Sequence, residues 1–240
     1  MKRLLLGPRA VTEGLRAAPE RIAVIYTETE QEKALADLLK LARERDVRCE
    51  PRPRPELDAL ADGGRHQGVL AIAGEYPYLS LHDLLAAAGE KPLLVALDQI
   101  TDPHNFGAIV RSAVALGASG VVTLKDRAAP VTSAVVRASA GATELARIAR
   151  VTNLARTLAE LRERGLQVVG LDAEGTIELR EVPDAGTGRV LVVGSEGSGL
   201  RRLTREQCHV LARIALGGPM RSLNASVAAG IAVYQSLRAR

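Results

Sequence analysis

Four short runs dominated by valine and leucine constrain this chain more than any other feature: PLLVALD at 92–98, GVVTL at 120–124, LQVVGLD at 166–172 and RVLVVG at 189–194. None alternates apolar with polar residues, so each reads as a strand buried on both faces. Around them apolar residues recur at helical spacing over 105–117, 132–142, 153–164, 205–211 and 224–238. Alternation of this kind predicts a parallel sheet sandwiched between helices, an α/β fold. Thr204 and Gln207 read as a capping box for the helix at 205. A further short run, RIAL at 213–216, reads as the last strand.

Upstream, IAVIY at 22–26 predicts a strand. Leu35, Leu38, Leu39 and Ala42 predict a helix over 30–45. The alternating prolines of PRPRP at 51–55 predict a loop or extended segment, and VLAIA at 69–73 a second strand. The expected organisation is a small α/β module at 1–74, a linker at 75–90 and a larger domain at 91–240.

The chain has 240 residues and a formal charge of +4. Its basic excess is uneven: 13 basic against 12 acidic residues over 1–74, none against 3 over 75–90, and 19 against 13 over 91–240. Such an excess suits an anionic polymer, although 27 of the 32 basic residues are arginine, a preference of composition that would serve equally well. Aromatic residues make up 2% of the chain, which argues against RNA recognition by base stacking on an aromatic platform. Cys49 and Cys208 lack metal-type spacing, so no metal is expected and both read as reduced thiols. The leucine run before Gly7-Pro8 is too short for a signal peptide, and no apolar run approaches a membrane span. The expected location is the cytoplasm, away from membranes.

Ligands of open parallel sheets bind beyond the carboxyl ends of the strands. Three segments there carry unusual residues. After 92–98, Asp102-Pro103 forms a turn and Asn105 is a candidate N-cap for a helix starting at Phe106. Arg111 is then expected on the first turns, where the helix dipole disfavours a cation unless an anion such as phosphate is present. After 189–194, GSEGSGL brings glycines that admit close backbone approach, with Glu196 among them. Its G-x-x-G-x-G spacing is wrong for a nicotinamide dinucleotide fingerprint. After RIAL, Gly217, Gly218 and Pro219 force an irregular loop, and Ser222 or Asn224 caps the last helix, with Val227, Ile231 and Tyr234 expected to face inward.

The set N-x5-R, G-x-E-G-x-G and S-L-N-x-S, in this order on these elements, resembles the three motifs of the SpoU/TrmH family of RNA 2′-O-methyltransferases. GPRAVTEGL, His66-Gln67-Gly68, VTNLART at 151–157 and GLRRLTREQC at 199–208 extend the likeness over nearly the whole chain, toward members that methylate a guanosine of 23S ribosomal RNA. The resemblance implies a SPOUT-type parallel sheet with a C-terminal trefoil knot. It implies a preceding RNA-binding domain of a kind also found in ribosomal proteins, and a homodimer whose active site is completed across the interface. S-adenosylmethionine would contact Gly194, Ile214 and Leu223, with the backbone around Gly217 and Gly218. Catalytic positions would be Asn105, Arg111, Glu196, Ser222 and Asn224. Pro219-Met220-Arg221 departs from the smaller residues of relatives.

For the proton acceptor the residues leave two readings. The family proposal makes Arg111 the base, but a guanidinium stays protonated, so Arg111 is expected to clamp phosphate and lower the hydroxyl pKa. His104, whose imidazole can accept a proton, is the rival. Methylation of transfer RNA and a binding-only role in ribosome assembly remain the alternative functions.

Overall fold

A computed structural model describes residues 3–28 and 33–238, and divides the chain into two compact units. The first comprises 1–77 together with 131–145; the second comprises 78–130 and 146–240. Sequence reading places the division at 75–90 and leaves 131–145 with the larger domain. The structure instead groups that segment with the N-terminal residues.

In the first unit, β1 (Arg3–Leu6), β2 (Ile22–Glu28), β3 (Cys49–Arg52) and β4 (Val69–Ala73) form a sheet in the order β1-β4-β2-β3. Only the β2–β3 ladder is parallel. Helices α1 (Pro8–Ala17), α2 (Ala36–Glu44) and α3 (Arg54–Ala61) accompany it. Leu38 and Ala42 of α2 are buried as expected, while residues 30–32 of the expected helix lie outside the described residues. The PRPRP segment is more regular than its prolines suggest: Pro51 sits in edge strand β3, and Pro55 falls in the first turn of α3, both positions that need no ladder or helix N–H. The inserted segment supplies α6 (Ser133–Ala138) and α7 (Ala142–Leu145). It is fastened by Arg3, whose guanidinium forks onto Glu144 at 2.5 and 3.2 Å, and by the Leu4 N–H donating to Ser133 Oγ at 2.9 Å. Gly141 is obligatory there, since a Cβ would stand 2.8 Å from the Ala10 Cα.

The second unit holds the parallel sheet that the valine-rich runs predict, with seven strands in all, of which β7 and β9 fall outside the expected runs. Its strands are β5 (Leu93–Asp98), β6 (Gly120–Leu124), β7 (Ile148–Val151), β8 (Gln167–Leu171), β9 (Ile177–Glu178), β10 (Arg189–Gly194) and β11 (Val210–Arg213). They lie in the order β7-β6-β5-β10-β8-β11-β9, and every ladder is parallel. Helices α4 (Leu81–Ala87), α5 (Pro103–Leu116), α8 (Leu154–Glu163), α9 (Arg202–Glu206) and α10 (Ala225–Arg238) cover it. Leu94, Val122, Leu158 and Val190 belong to one wholly buried aliphatic cluster, which is how a chain with one phenylalanine fills a core. No described helix is long and apolar enough to cross a membrane.

Several local expectations are corrected. Helix α5 starts at Pro103, and its N-cap is Asp102, whose carboxylate accepts from the His104 and Asn105 N–H groups at 3.1 Å each. Asn105 is therefore inside the first turn, and Arg111 stands in the third, beyond the reach of the N-terminal dipole. The helix expected at 205–211 is α9 at Arg202–Glu206, with Thr204 inside it and Gln207 at its C-cap, so there is no capping box. The last strand is Val210–Arg213 rather than RIAL, because β8 offers partners only up to Ala212↔Leu171 and β9 only up to Arg213↔Glu178. Finally, α10 buries Ala225, Ala229, Ala232 and Val233, whereas Val227 and Tyr234 are 49% and 47% exposed.

Candidate functional site

Because all seven strands run the same way, their carboxyl ends share one edge. There β5 and β10 end level, with Asp98 paired to Gly194. Asp98 is fully buried, and a carboxylate so placed needs compensation. It accepts the Arg201 backbone N–H at 2.9 Å and Arg201 Nε at 2.6 Å. This pair staples the segment after β10 across the end of β5. Sequence reading missed it, although a lone acid closing a six-residue buried strand is itself a signal that a cationic partner must exist.

Between Gly194 and Arg201 the chain folds back on itself. The Gly199 N–H donates to the Ser195 carbonyl at 3.0 Å, and a Cβ on Gly194 would lie 2.3 Å from the Gly199 carbonyl carbon. Gly197 and Gly199 take φ of +84° and +62°, which glycine adopts without strain. The outcome is a tight loop presenting Glu196.

Three side chains predicted for the site meet at Glu196. Asn224 is the N-cap of α10: its Oδ1 accepts the Ser226 and Val227 N–H groups at 2.9 and 3.3 Å and the Ser226 hydroxyl at 2.6 Å. With its oxygen engaged, its amide group donates to Asn105 Oδ1 at 2.9 Å and to Glu196 Oε1. Asn105, oriented by that bond, donates its own amide to Glu196 Oε1 at 3.0 Å, and the Ala225 N–H approaches the same oxygen at 3.4 Å. Three strand-following segments thus converge on one carboxylate oxygen. Glu196 Oε2 makes no hydrogen bond among the described residues.

The other predicted residues stand apart. Arg111 is exposed, makes no hydrogen bond or ion pair among the described residues, and projects about 120° round the helix from Asn105. Ser222 is exposed and does not join the cluster. His104 is exposed in the first turn of α5. Ile214, Gly217, Gly218 and Leu223 lie on the segment between β11 and α10, where Met220 is 71% exposed. Gly217 and Gly218 differ from Gly194: a Cβ on either would meet no protein atom within 4 Å, and neither has left-handed backbone. Nothing inside the chain requires glycine there. A ligand lying close against the backbone would, so these positions fit a nucleoside cofactor. Cys208 is no nucleophile, since burial pushes its thiol up to about 12. Among the described residues no group of three or more His, Cys, Asp or Glu side chains could hold a metal ion.

Comparison with known proteins places the chain in one family. A family model described as the SpoU rRNA Methylase family matches residues 92–234, and one described as RNA 2'-O ribose methyltransferase substrate binding matches residues 4–79. A putative TrmH family tRNA/rRNA methyltransferase of Bacillus subtilis is 41% identical over 98% of this chain and 95% of its own length. The 23S rRNA (guanosine-2'-O-)-methyltransferase RlmB of Bordetella pertussis is 41% identical over 99% of this chain and 97% of its own. Among solved structures, the SpoU methyltransferase AviRb of Streptomyces viridochromogenes, in complex with the cofactor AdoMet, superposes with a TM-score of 0.80 at 28% identity, covering 99% of this chain and 89% of that one. With residues 4–79 and 92–234 both matched and a relative 41% identical over 99% of the chain, the chain belongs to the SpoU rRNA methylase family and is a methyltransferase.

Proposed function

We propose that this protein transfers the methyl group of S-adenosylmethionine to the ribose 2′-hydroxyl of a guanosine in 23S ribosomal RNA, as a cytoplasmic homodimer. The observation that carries the reading is the convergence of Asn105, Glu196 and Asn224 beside the glycine-bearing loops. The B. pertussis relative supports guanosine of 23S RNA as substrate.

The cofactor would lie against Gly194, Ile214, Gly217, Gly218 and Leu223. Bound there it supplies an electrophilic methyl group on a cationic sulfur that leaves as a neutral thioether. The chain's share is to align the hydroxyl and ease loss of its proton. Glu196 Oε2, with its other oxygen saturated, orients the ribose, and Asn105 and Asn224 hold Glu196. Ser222 shapes the pocket wall. The Arg111 guanidinium clamps a phosphate and lowers the hydroxyl pKa, the proton leaving to solvent or phosphate. Since Arg111 points away from the Asn105 cluster of its own chain, it serves the pocket of a second copy. The exposed Val227 and Tyr234 give α10 an apolar surface that such a dimer would cover. The fold proposed is the SPOUT trefoil knot, which the folded-back loop stapled by Asp98 and Arg201 supports. The N-terminal residues 1–74, with which 131–145 groups, act as an RNA-binding domain joined through 75–90 to the catalytic residues of 91–240.

Incubation with methyl-labelled cofactor and separated RNA pools tests this. Label should enter 23S RNA and no other pool. Label in transfer RNA moves the substrate within the family, and RNA binding without label in any pool supports the binding-only role instead.

A further inference from the structure

The loops that follow β6 and β7 lie on the same carboxyl edge as the Asn105–Glu196–Asn224 cluster. Val122 pairs with Ala96, and both strands run on to end at Leu124 and Asp98, so Lys125 leaves the sheet level with the start of the loop before α5. In the order β6-β5-β10 this point is two strands from Gly194, about 10 Å along the edge. The segment is held firmly: the Lys125 N–H donates to the Val151 carbonyl at 2.8 Å, and the Ala129 N–H to the Ile100 carbonyl at 2.9 Å.

On this fixed segment Lys125 and Arg127 are both exposed, and neither side chain has a hydrogen bond or ion pair with a described residue. Arg127 is in left-handed backbone, φ 57°, an uncommon state for so long a side chain. The next loop adds Arg156, exposed and likewise without a described partner, in the first turn of α8. The helix dipole opposes a cation there, and no acid accompanies it. Asp126 is the one exposed acid within 125–129, so the three cations keep an excess. Some exposed arginines elsewhere are tied to acids, as Arg164 is to Glu160 at 3.0 Å, Arg180 to Glu178 at 2.7 Å and Arg202 to Glu206 at 2.5 Å.

We propose that Lys125, Arg127 and Arg156 form a phosphate track that holds the single-stranded RNA flanking the target ribose as it leaves the pocket. The track rests on the RNA methyltransferase reading of the same edge and extends it to the path of the strand. Phosphate contacts fix register without reading sequence, which suits cations placed beside the pocket and not in it.

The test uses the full chain and a 23S RNA stem–loop that it methylates, comparing wild type with a triple variant carrying Lys125→Gln, Arg127→Asn and Arg156→Gln. Asparagine is chosen because it tolerates left-handed backbone. The slope of log affinity against log salt should flatten by about 2, at about 0.7 per phosphate lost on a single strand. KM for RNA should rise while the single-turnover rate at saturating RNA and cofactor binding stay as in wild type. Arg164→Gln, at the far end of α8, should change none of these. Should the triple variant fail to fold, Lys125→Gln and Arg127→Asn singly should each flatten the slope by about 0.7. An unchanged slope overturns the track, and so does a lost single-turnover rate at saturating RNA. Failure of wild type to methylate any RNA would sink the methyl-transfer reading, while the salt slope would still decide the track.

Discussion

The two edges of the seven-stranded sheet use the same residue types to opposite ends. At the amino edge Arg189 begins β10 with 3% exposure. Its Nε donates to Gln167 Oε1 at 2.8 Å, Nη2 to the Pro183 and Val182 carbonyls at 2.8 and 3.3 Å, and Nη1 to Ser236 Oγ at 3.4 Å. At the carboxyl edge Lys125, Arg127 and Arg156 are exposed without described partners. The glycines divide in a similar way. Gly188 at the amino edge is explained by its φ of +110° and by Pro92 at 2.8 Å, whereas Gly217 and Gly218 have no internal explanation. Saturated groups hold the fold together; groups left unsaturated beside a built carboxylate cluster await something else. That contrast assigns the edge, and substitutions can break it.

The largest effect is expected from Arg111→Ala: a loss of about 10³-fold in single-turnover methyl transfer, about 4 kcal/mol, with cofactor affinity unchanged. Arg111→Lys should retain weak activity, since it keeps charge but not the fork. If His104 is the base, His104→Ala is the dead variant and Arg111→Ala is only impaired. Next comes Arg189→Ala, which leaves several buried acceptors unpaired. A destabilisation of about 3 kcal/mol should lower the thermal midpoint by about 6–12 °C, with turnover per folded molecule intact. Smaller again is Asn224→Ala, which removes a helix cap and frees Glu196. Calorimetry should show cofactor binding weakened about tenfold, about 1.4 kcal/mol. Equal loss of turnover per folded molecule in Arg189→Ala and Arg111→Ala would erase the distinction between the buried, saturated arginine and the exposed one.

The strands were legible because a run buried on both faces has almost no other reading, and β5, β6, β8 and β10 fall where Val and Leu crowd. Helix α10 was legible in extent but not in orientation: AVY and IAV make it apolar nearly all round, so periodicity could not separate Val233 from Tyr234. The last strand slid by three residues because Ile214 and Leu216 are apolar yet lie beyond any pairing partner. Asp102 is readable as the cap, since Pro103 after it fits the first helical position; Asn105 reads as a cap-type residue too, and only the N-x5-R motif marks it for the site. The site residues could be named from their motifs. That Asn105, Glu196 and Asn224 share one carboxylate oxygen, 91 and 28 residues apart, is a property of the fold alone.

The central claim is that methyl goes to a ribose oxygen and not to a base. Wild-type protein, methyl-labelled cofactor and 23S RNA, followed by alkaline hydrolysis of the product, address it directly, because a 2′-O-methyl group removes the nucleophile that cleaves the adjoining phosphodiester. The label should appear in an alkali-stable dinucleotide whose 5′ residue is guanosine. Label recovered in mononucleotides, on the base, would contradict the account.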